Sequence, residues 1–227
     1  MTDVVETPTR SGPARWHLDR PPGTPRAILA LGHGAGGGVD AGDLKVVASV
    51  LPRAGVVVAR FEQPWRVAGR RVAPPGPQLD AAWSEAVNAL RAAFRGGLPI
   101  LLGGRSAGAR VACRTSAALG AAGVVALAFP LHPPGRPDRS RVDELPALPV
   151  LVVQGDRDAF GSSGEVRAAT AGVSGLTTIR IPDADHALRV SRRGPLTQAE
   201  ADEIVGLSVQ RWVLACVRGN LPRAPRR

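Results

Sequence analysis

The sequence predicts an α/β fold in which helices cover both faces of a mostly parallel sheet. Two observations lead to this prediction. Short runs of aliphatic and β-branched residues recur along the 227-residue chain, without the polar alternation of strands that face water on one side. Segments with the apolar spacing of helices separate these runs. We therefore expect a single domain over residues 1–227, with flexible ends at 1–13 and 219–227, and ligands at the carboxyl ends of the strands.

Continuous apolar runs mark the buried strands, and Gly and Pro mark the ends of elements. In the first half, the predicted elements are a strand at 14–18, a strand at 27–31, a helix capped by Asp43, a strand at 56–61, a loop at 62–77 and a helix from Gln78 to Arg95. In the second half, they are strands at 99–102, 124–129, 150–154 and 177–181, helices at 107–119 and 163–171, and a last helix with a capping box at Thr197 to Glu200. The loop at 130–148 is too short for a helical cap, so no large lid domain is expected.

Composition excludes several classes of protein. The formal net charge is +10, but the basic residues are dispersed arginines with Lys45 as the only lysine, and aromatic residues make up 4%. Because nucleic-acid surfaces combine a basic stripe with aromatic residues, we expect no nucleic-acid partner. No apolar run approaches the length of a membrane span. The first residues lack the apolar segment of a signal peptide, so we expect a cytoplasmic protein that does not bind a membrane.

The two cysteines, Cys113 and Cys216, lie far apart in segments with helical spacing. Buried free thiols fit this arrangement better than a disulfide scaffold. Two cysteines that lie far apart in the sequence do not have the close ligand spacing that is typical of zinc sites. We expect neither a metal ion nor an organic cofactor.

A glycine-rich motif stands between one predicted strand and the next helix. Gly104-Arg105-Ser106-Ala107-Gly108 matches the pattern G-x-S-x-G, in which a strained turn holds a serine hydroxyl exposed at the edge of a sheet. The two glycines let the strand and the helix approach closely. Taken alone, the motif also fits an ordinary turn with Ser106 as a helix cap. Whether Ser106 is a nucleophile therefore depends on which other residues lie at the same edge of the sheet.

Polar residues at later strand ends supply the partners that a serine nucleophile needs. The chain order is Ser106, then Asp156 or Asp158, then His186, which is the order in serine hydrolases of this architecture. His186 would take the proton from Ser106, and one of the aspartates would orient the imidazole. His186 has no rival, because no other histidine follows the aspartates.

A second glycine-rich loop, His33-Gly34-Ala35-Gly36-Gly37-Gly38, follows the strand at 27–31. Its backbone N–H at Ala35, together with that of Ala107, would stabilise the oxyanion that forms during acyl transfer. We expect His33 to hold this loop and not to transfer protons.

With these residues the sequence resembles the α/β-hydrolase superfamily, and most of all its small dienelactone-hydrolase-like members. The resemblance extends from about residue 14 to 218 and rests on the loop at 33–37, the G-x-S-x-G motif, Gly155-Asp156-Arg157-Asp158 and Asp185-His186. It implies Ser106 as nucleophile, Asp158 as acid and His186 as base. Dienelactone hydrolases proper carry a cysteine nucleophile, so the serine departs from their pattern.

Other residues near the expected site have two interpretations each. Arg105 and Arg110 either meet an anionic substrate or form ion pairs within the scaffold. Trp65 and Phe160 either line the pocket or pack in the core.

These observations predict a serine hydrolase that cleaves a carboxylic ester or a related acyl bond of a small molecule. The alternatives are a non-catalytic binding or regulatory module with a hydrolase fold, and a thioesterase, peptidase or acyltransferase that uses the same residues. The oligomeric state and the identity of the acyl substrate are not encoded in any motif.

Overall fold

The computed structural model describes residues 2–94 and 96–221. Its strands are β1 (Thr2–Thr9), β2 (Gly12–Asp19), β3 (Ala27–Gly32), β4 (Val56–Glu62), β5 (Ile100–Arg105), β6 (Val124–Leu127), β7 (Val150–Gly155) and β8 (Leu176–Ile181). Its α-helices are α1 (Gly42–Val50), α2 (Pro64–Val67), α3 (Gly76–Ala93), α4 (Ala107–Thr115), α5 (Ser163–Ala169) and α6 (Gln198–Val217).

The eight strands form one sheet in the order β1-β2-β4-β3-β5-β6-β7-β8. The pairs β1–β2 and β2–β4 are antiparallel, and the pairs from β4 to β8 are parallel. Because β3 to β8 run in one direction, their carboxyl ends lie along the same edge of the sheet. The predicted mostly parallel sheet is confirmed.

Helices cover both faces of the sheet, as predicted. On one face, α3 and α4 pack on a core that contains Trp16, Phe61 and Trp83. On the other face, α1 and α6 contribute Leu44 and Trp212 to a second core. Strands β3 and β6 are buried along their whole length, and both of their sides are therefore apolar.

The expectation of a flexible segment at residues 1–13 was wrong for residues 2–13, the part of the segment that the structure describes. Residues 2–9 form β1, which pairs with β2 along its whole length, from Thr2 opposite Asp19 to Thr9 opposite Gly12. Only Thr7 of this strand is buried. An apolar pattern therefore could not reveal it, because backbone hydrogen bonds and not core contacts hold the strand. At the other end of the chain, residues 219–221 follow α6, and residues 222–227 lie outside the described residues.

Three predicted details also differ from the structure. Asp43 does not cap α1, because the N-cap is Ala41 and Asp43 is buried in the first turn. The loop at 62–77 contains the short helix α2, which begins at Pro64. The second predicted helix begins at Gly76, and its expected last residue, Arg95, lies outside the described residues.

The connection between β6 and β7 contains no lid. In this connection the structure has a single 3-10 turn, at Val142–Glu144, among irregular backbone. Glu144 fastens the turn to α4 by ion pairs with Arg110 and Arg114. The edge of the sheet that carries the strand ends is therefore not covered by a helical domain. Among the described helices, none combines the length and the apolar character needed to cross a membrane.

Candidate active site

Ser106 lies on a strained turn between β5 and α4. Its backbone φ is 53° and its ψ is −115°, a left-handed conformation that a residue with a side chain rarely adopts. The turn brings α4 directly against β3. A Cβ atom on Gly104 would lie 2.5 Å from the carbonyl oxygen of Gly32, and one on Gly108 would overlap the same carbonyl group. The two glycines of the motif are thus required by close backbone approach.

The structure brings Ser106, His186 and Asp158 together. His186 Nε2 lies 2.9 Å from Ser106 Oγ. His186 Nδ1 lies 2.9 Å and 2.8 Å from the two carboxylate oxygens of Asp158. If Nδ1 carries its proton toward the carboxylate, Nε2 is left as an acceptor for the serine hydroxyl. This is the geometry in which an imidazole can act as a general base toward a hydroxyl.

Asp158 is held by bonds that fix its direction. Its side chain is fully buried, and it accepts hydrogen bonds from the Phe160 backbone N–H at 2.8 Å and from Gln154 Nε2 at 2.9 Å. Phe160 also packs on the His186 ring, with the ring centroids 4.2 Å apart. The imidazole is therefore restrained in its plane as well as at both nitrogens.

Asp156 is bonded to side chains other than His186. It accepts hydrogen bonds from Ser163 Oγ at 2.5 Å and from Arg180 Nε at 2.7 Å. Partial burial alone would raise the pKa of Asp156, but the bonds from Ser163 and Arg180 outweigh it and lower that pKa below its usual value. Of the two aspartates that the sequence left open, Asp158 is the one at the histidine.

The two expected oxyanion donors line the same cavity as Ser106. Ala107 is the first residue of α4, so its N–H has no acceptor within the helix. In the described part of the chain, neither the Ala35 N–H nor the Ala107 N–H is the donor of a backbone hydrogen bond. Both groups remain available to a substrate oxygen.

His33 holds the loop that carries Ala35. Its Nδ1 lies 2.8 Å from the Gly34 carbonyl oxygen, and its Nε2 accepts from the Gln63 backbone N–H at 3.3 Å. Burial lowers the pKa of His33, so the ring is neutral at pH 7 and matches these two bonds. Trp65 packs against this ring with a centroid distance of 5.7 Å. Trp65 thus belongs to the core, whereas Phe160 lines the cavity.

The cavity at Ser106 has a volume of about 890 Å³ and opens to solvent. Arginines are prominent in its lining: Arg105, Arg110, Arg141, Arg189 and Arg192. Three of these are bonded within the scaffold, because Arg105 lies 3.1 Å from Asp43, Arg110 lies 2.5 Å from Glu144, and Arg141 donates a hydrogen bond to the Pro130 carbonyl oxygen at 3.0 Å. The described residues contain no cluster of three or more His, Cys, Asp or Glu side chains suited to a metal ion.

One feature of the site was not apparent in the sequence. Asp43 reads as a helix cap, but it is a buried carboxylate beside Arg105. Cys113, on the helix after Ser106, is a buried free thiol, as the sequence predicted, and burial raises its pKa to about 12. Cys113 is therefore a protonated core residue and not a thiolate nucleophile.

Comparisons with known proteins agree with this architecture. Residues 25–213 match the model of a family described as alpha/beta hydrolase domain. A search among curated protein sequences found no significant match.

Several solved structures share the fold. A serine hydrolase without a lid from Xanthomonas campestris is 22% identical, with 99% of this chain and 97% of that chain covered and a TM-score of 0.73. A dienelactone hydrolase from Anabaena variabilis is 19% identical, with 94% and 97% covered and a TM-score of 0.70. An esterase from Pyrobaculum calidifontis is 16% identical, with 98% and 86% covered and a TM-score of 0.67.

Proposed function

The chain belongs to the alpha/beta hydrolase family, and we propose that it is a serine hydrolase that cleaves a carboxylic ester, or a related acyl bond, of a small molecule. Ser106 is the nucleophile, His186 the base and Asp158 the residue that orients the base. The observation that carries the proposal is the hydrogen-bonded series from Ser106 Oγ through the imidazole to a buried carboxylate, at 2.9 Å and 2.8 Å.

In the first step, Ser106 Oγ attacks the acyl carbon while His186 Nε2 takes the hydroxyl proton. The carbonyl oxygen becomes an oxyanion and accepts hydrogen bonds from the N–H groups of Ala35 and Ala107. When the bond to the leaving group breaks, the imidazolium returns its proton to the departing alkoxide. Alcohol leaves and Ser106 carries the acyl group as an ester.

In the second step, water replaces the alcohol. His186 takes one proton of the water, and the resulting oxygen nucleophile attacks the acyl-Ser106 ester. Breakdown of the second oxyanion returns the proton to Ser106 Oγ and releases the carboxylic acid. Asp158 stays ionised throughout and stabilises the imidazolium formed in each half-reaction. Removing one oxyanion donor in such a site typically costs about 10²–10³ in kcat.

The open cavity supports small soluble acyl substrates. The connection between β6 and β7 carries no lid that a lipid interface would have to displace before a substrate could enter the cavity. Thioesters share the same acyl chemistry, and a thiolate leaves more readily than an alkoxide. Comparing ester and thioester pairs with the same acyl group distinguishes these substrates.

Turnover of short p-nitrophenyl esters tests the proposal. We expect the wild-type protein to hydrolyse p-nitrophenyl acetate or butyrate, and Ser106→Ala to lose this activity by at least about 10³-fold in kcat/KM. Thr115→Ser, on the same helix but outside the cavity, is the matched control and keeps the wild-type rate. Equal turnover by the wild-type protein and Ser106→Ala would contradict the assignment.

A further inference from the structure

Arg105 immediately precedes the proposed nucleophile, and its guanidinium reaches three other parts of the site. Nη2 donates a hydrogen bond to the His186 carbonyl oxygen at 2.8 Å. Nε lies 3.1 Å from Asp43 Oδ2. A Cβ atom on Gly34 would lie 3.0 Å from Nη1, so the guanidinium rests against the loop that carries Ala35. One planar group therefore lies between the turn at Ser106, the loop of the base and the loop of the oxyanion donor.

The partner carboxylate is buried and has few other bonds. The Asp43 side chain is 1% exposed, and its Oδ1 accepts from the Leu44 backbone N–H at 2.8 Å. Its Oδ2 is buried and accepts no hydrogen bond among the described residues, and the Arg105 guanidinium 3.1 Å away is its ion-pair partner. Burial raises the pKa of Asp43, and the charge of Arg105 acts against that rise. A buried carboxylate of this kind is tolerated when a cation pairs with it.

Besides the bond between the imidazole and Ser106, the hydrogen bond from Arg105 to the His186 carbonyl oxygen links this loop directly to the turn at Ser106. The other backbone hydrogen bonds of residues 185–189 stay within the loop or go to Gln198. In the described residues, none of them reaches β5 or α4. Without Arg105, no backbone hydrogen bond of residues 185–189 would tie this loop to the turn at Ser106, and the position of His186 would depend on the imidazole's own bonds and on packing with Phe160.

We propose that Arg105, held by Asp43, is a positioning residue that sets the loops of His186 and Ala35 in register with Ser106. This inference rests on the proposed function. The guanidinium suits the task because its donors point in several fixed directions of one plane, whereas a lysine ammonium is a single point. The role predicts an effect on the chemical step, not on substrate binding.

The first test removes the Arg105 side chain by mutation and then supplies guanidinium as a small molecule in solution. We expect Arg105→Ala to lower kcat about 10²-fold with little change in KM, because a small misplacement of a catalytic group has an effect of this size. Millimolar guanidinium chloride should restore part of the lost kcat by occupying the space beside Asp43. Arg105→Lys should lie between Arg105→Ala and the wild type.

Arg114→Ala is the matched control. Arg114 lies on α4 and also forms a bidentate ion pair, with Asp80, but it does not line the cavity. Its loss should lower the melting temperature while leaving kcat and the response to guanidinium unchanged. An equal loss of kcat in both variants would show a general effect on the fold and would overturn the positioning role.

The second test is a double-mutant cycle. Its double variant also avoids the buried unpaired carboxylate that Arg105→Ala alone leaves behind. Asp43→Asn combined with Arg105→Ala leaves no unpaired buried charge, so this variant should fold. If Asp43 acts through Arg105, the double variant should lose no more kcat than Arg105→Ala alone. Additive losses would overturn the role of Asp43.

The outcomes separate the two proposals. Wild-type kcat in Arg105→Ala, in a protein whose Ser106→Ala variant is inactive, contradicts the positioning role only. A rise in KM with kcat unchanged makes Arg105 a substrate contact and also contradicts it. A loss that neither guanidinium nor Arg105→Lys relieves contradicts it as well. Turnover by Ser106→Ala would instead remove the proposed function, and the positioning role with it.

Discussion

At the scale of residues, two aspartates separated by one position have different surroundings. Asp158 is buried against His186, whereas Asp156 pairs with Arg180 at the surface. We expect Asp158→Asn to lower kcat by about 10³–10⁴-fold, because an amide would favour the wrong tautomer of the imidazole. Asp156→Asn should keep kcat and lower the free energy of unfolding by at most about 1 kcal/mol, as is usual for exposed ion pairs. Ester kinetics and urea denaturation of both variants measure these effects. A greater loss of kcat in Asp156→Asn would reverse the assignment.

The sequence allowed the residues around Ser106 to be predicted, because chain order and strand ends constrain them. It could not show which aspartate turns toward His186, since both follow β7. Nor could it show the contact between Arg105 and Asp43, because these side chains come from separate elements that meet only in the fold. An aspartate near the start of a predicted helix fits the role of an N-cap, so nothing in the sequence indicated that Asp43 forms a buried ion pair.

At the scale of elements, Glu144 joins the 3-10 turn after β6 to α4. Burial raises the pKa of Glu144, but Arg110 and Arg114 outweigh burial, so the net pKa lies below the usual value. A lowered pKa in the folded state stabilises the fold above the unfolded pKa, and this contribution disappears as the pH falls through the folded value. We expect Glu144→Gln to lower the free energy of unfolding by about 1–3 kcal/mol at pH 7. The difference from the wild type should shrink steadily below about pH 4.

Urea denaturation of the wild type and Glu144→Gln across this pH range measures the effect. Glu203→Gln is the control, because Glu203 is exposed and forms no side-chain hydrogen bond or ion pair among the described residues. A difference that stays constant from pH 7 to pH 3 would contradict the role of the two guanidinium groups.

The elements that the sequence predicted best are those with a strong apolar pattern or an explicit end signal. Helix α6 begins after Thr197 with the predicted capping box, in which Thr197 and Glu200 bond each other's backbone N–H groups. Strand β1 escaped prediction because its side chains are mostly exposed. Elements held by backbone pairing alone leave little trace in hydrophobic patterns.

At the scale of the molecule, β1 lies at one end of the sheet and the candidate site lies at the strand ends near its middle. Strands β2 and β4 separate β1 from β3. Deleting residues 2–9 should therefore lower the melting temperature by several degrees, about 2–4 °C for each kcal/mol lost. The kcat for esters should not change. Thermal unfolding and ester kinetics of the shortened chain measure both. An unchanged melting temperature would mean that the segment does not contribute to the fold, and a loss of kcat would mean that β1 supports the site.

The overall architecture was predictable because buried parallel strands and alternating helices leave few ways to place the strand ends. The same constraint puts Ser106, Asp158 and His186 on one edge although they come from separate segments of the chain. The cavity was less predictable, because its wall of arginines depends on which side chains are already paired inside the scaffold.

Covalent labelling of Ser106 tests the central claim most directly. The wild-type protein is treated with a fluorophosphonate, and the modified residue is located by mass spectrometry of the peptide that contains Ser106. We expect one label per chain, on Ser106, and none in Ser106→Ala or in wild-type protein unfolded before treatment. Failure of the folded wild-type protein to react, or a label on another residue that survives in Ser106→Ala, would contradict Ser106 as the nucleophile.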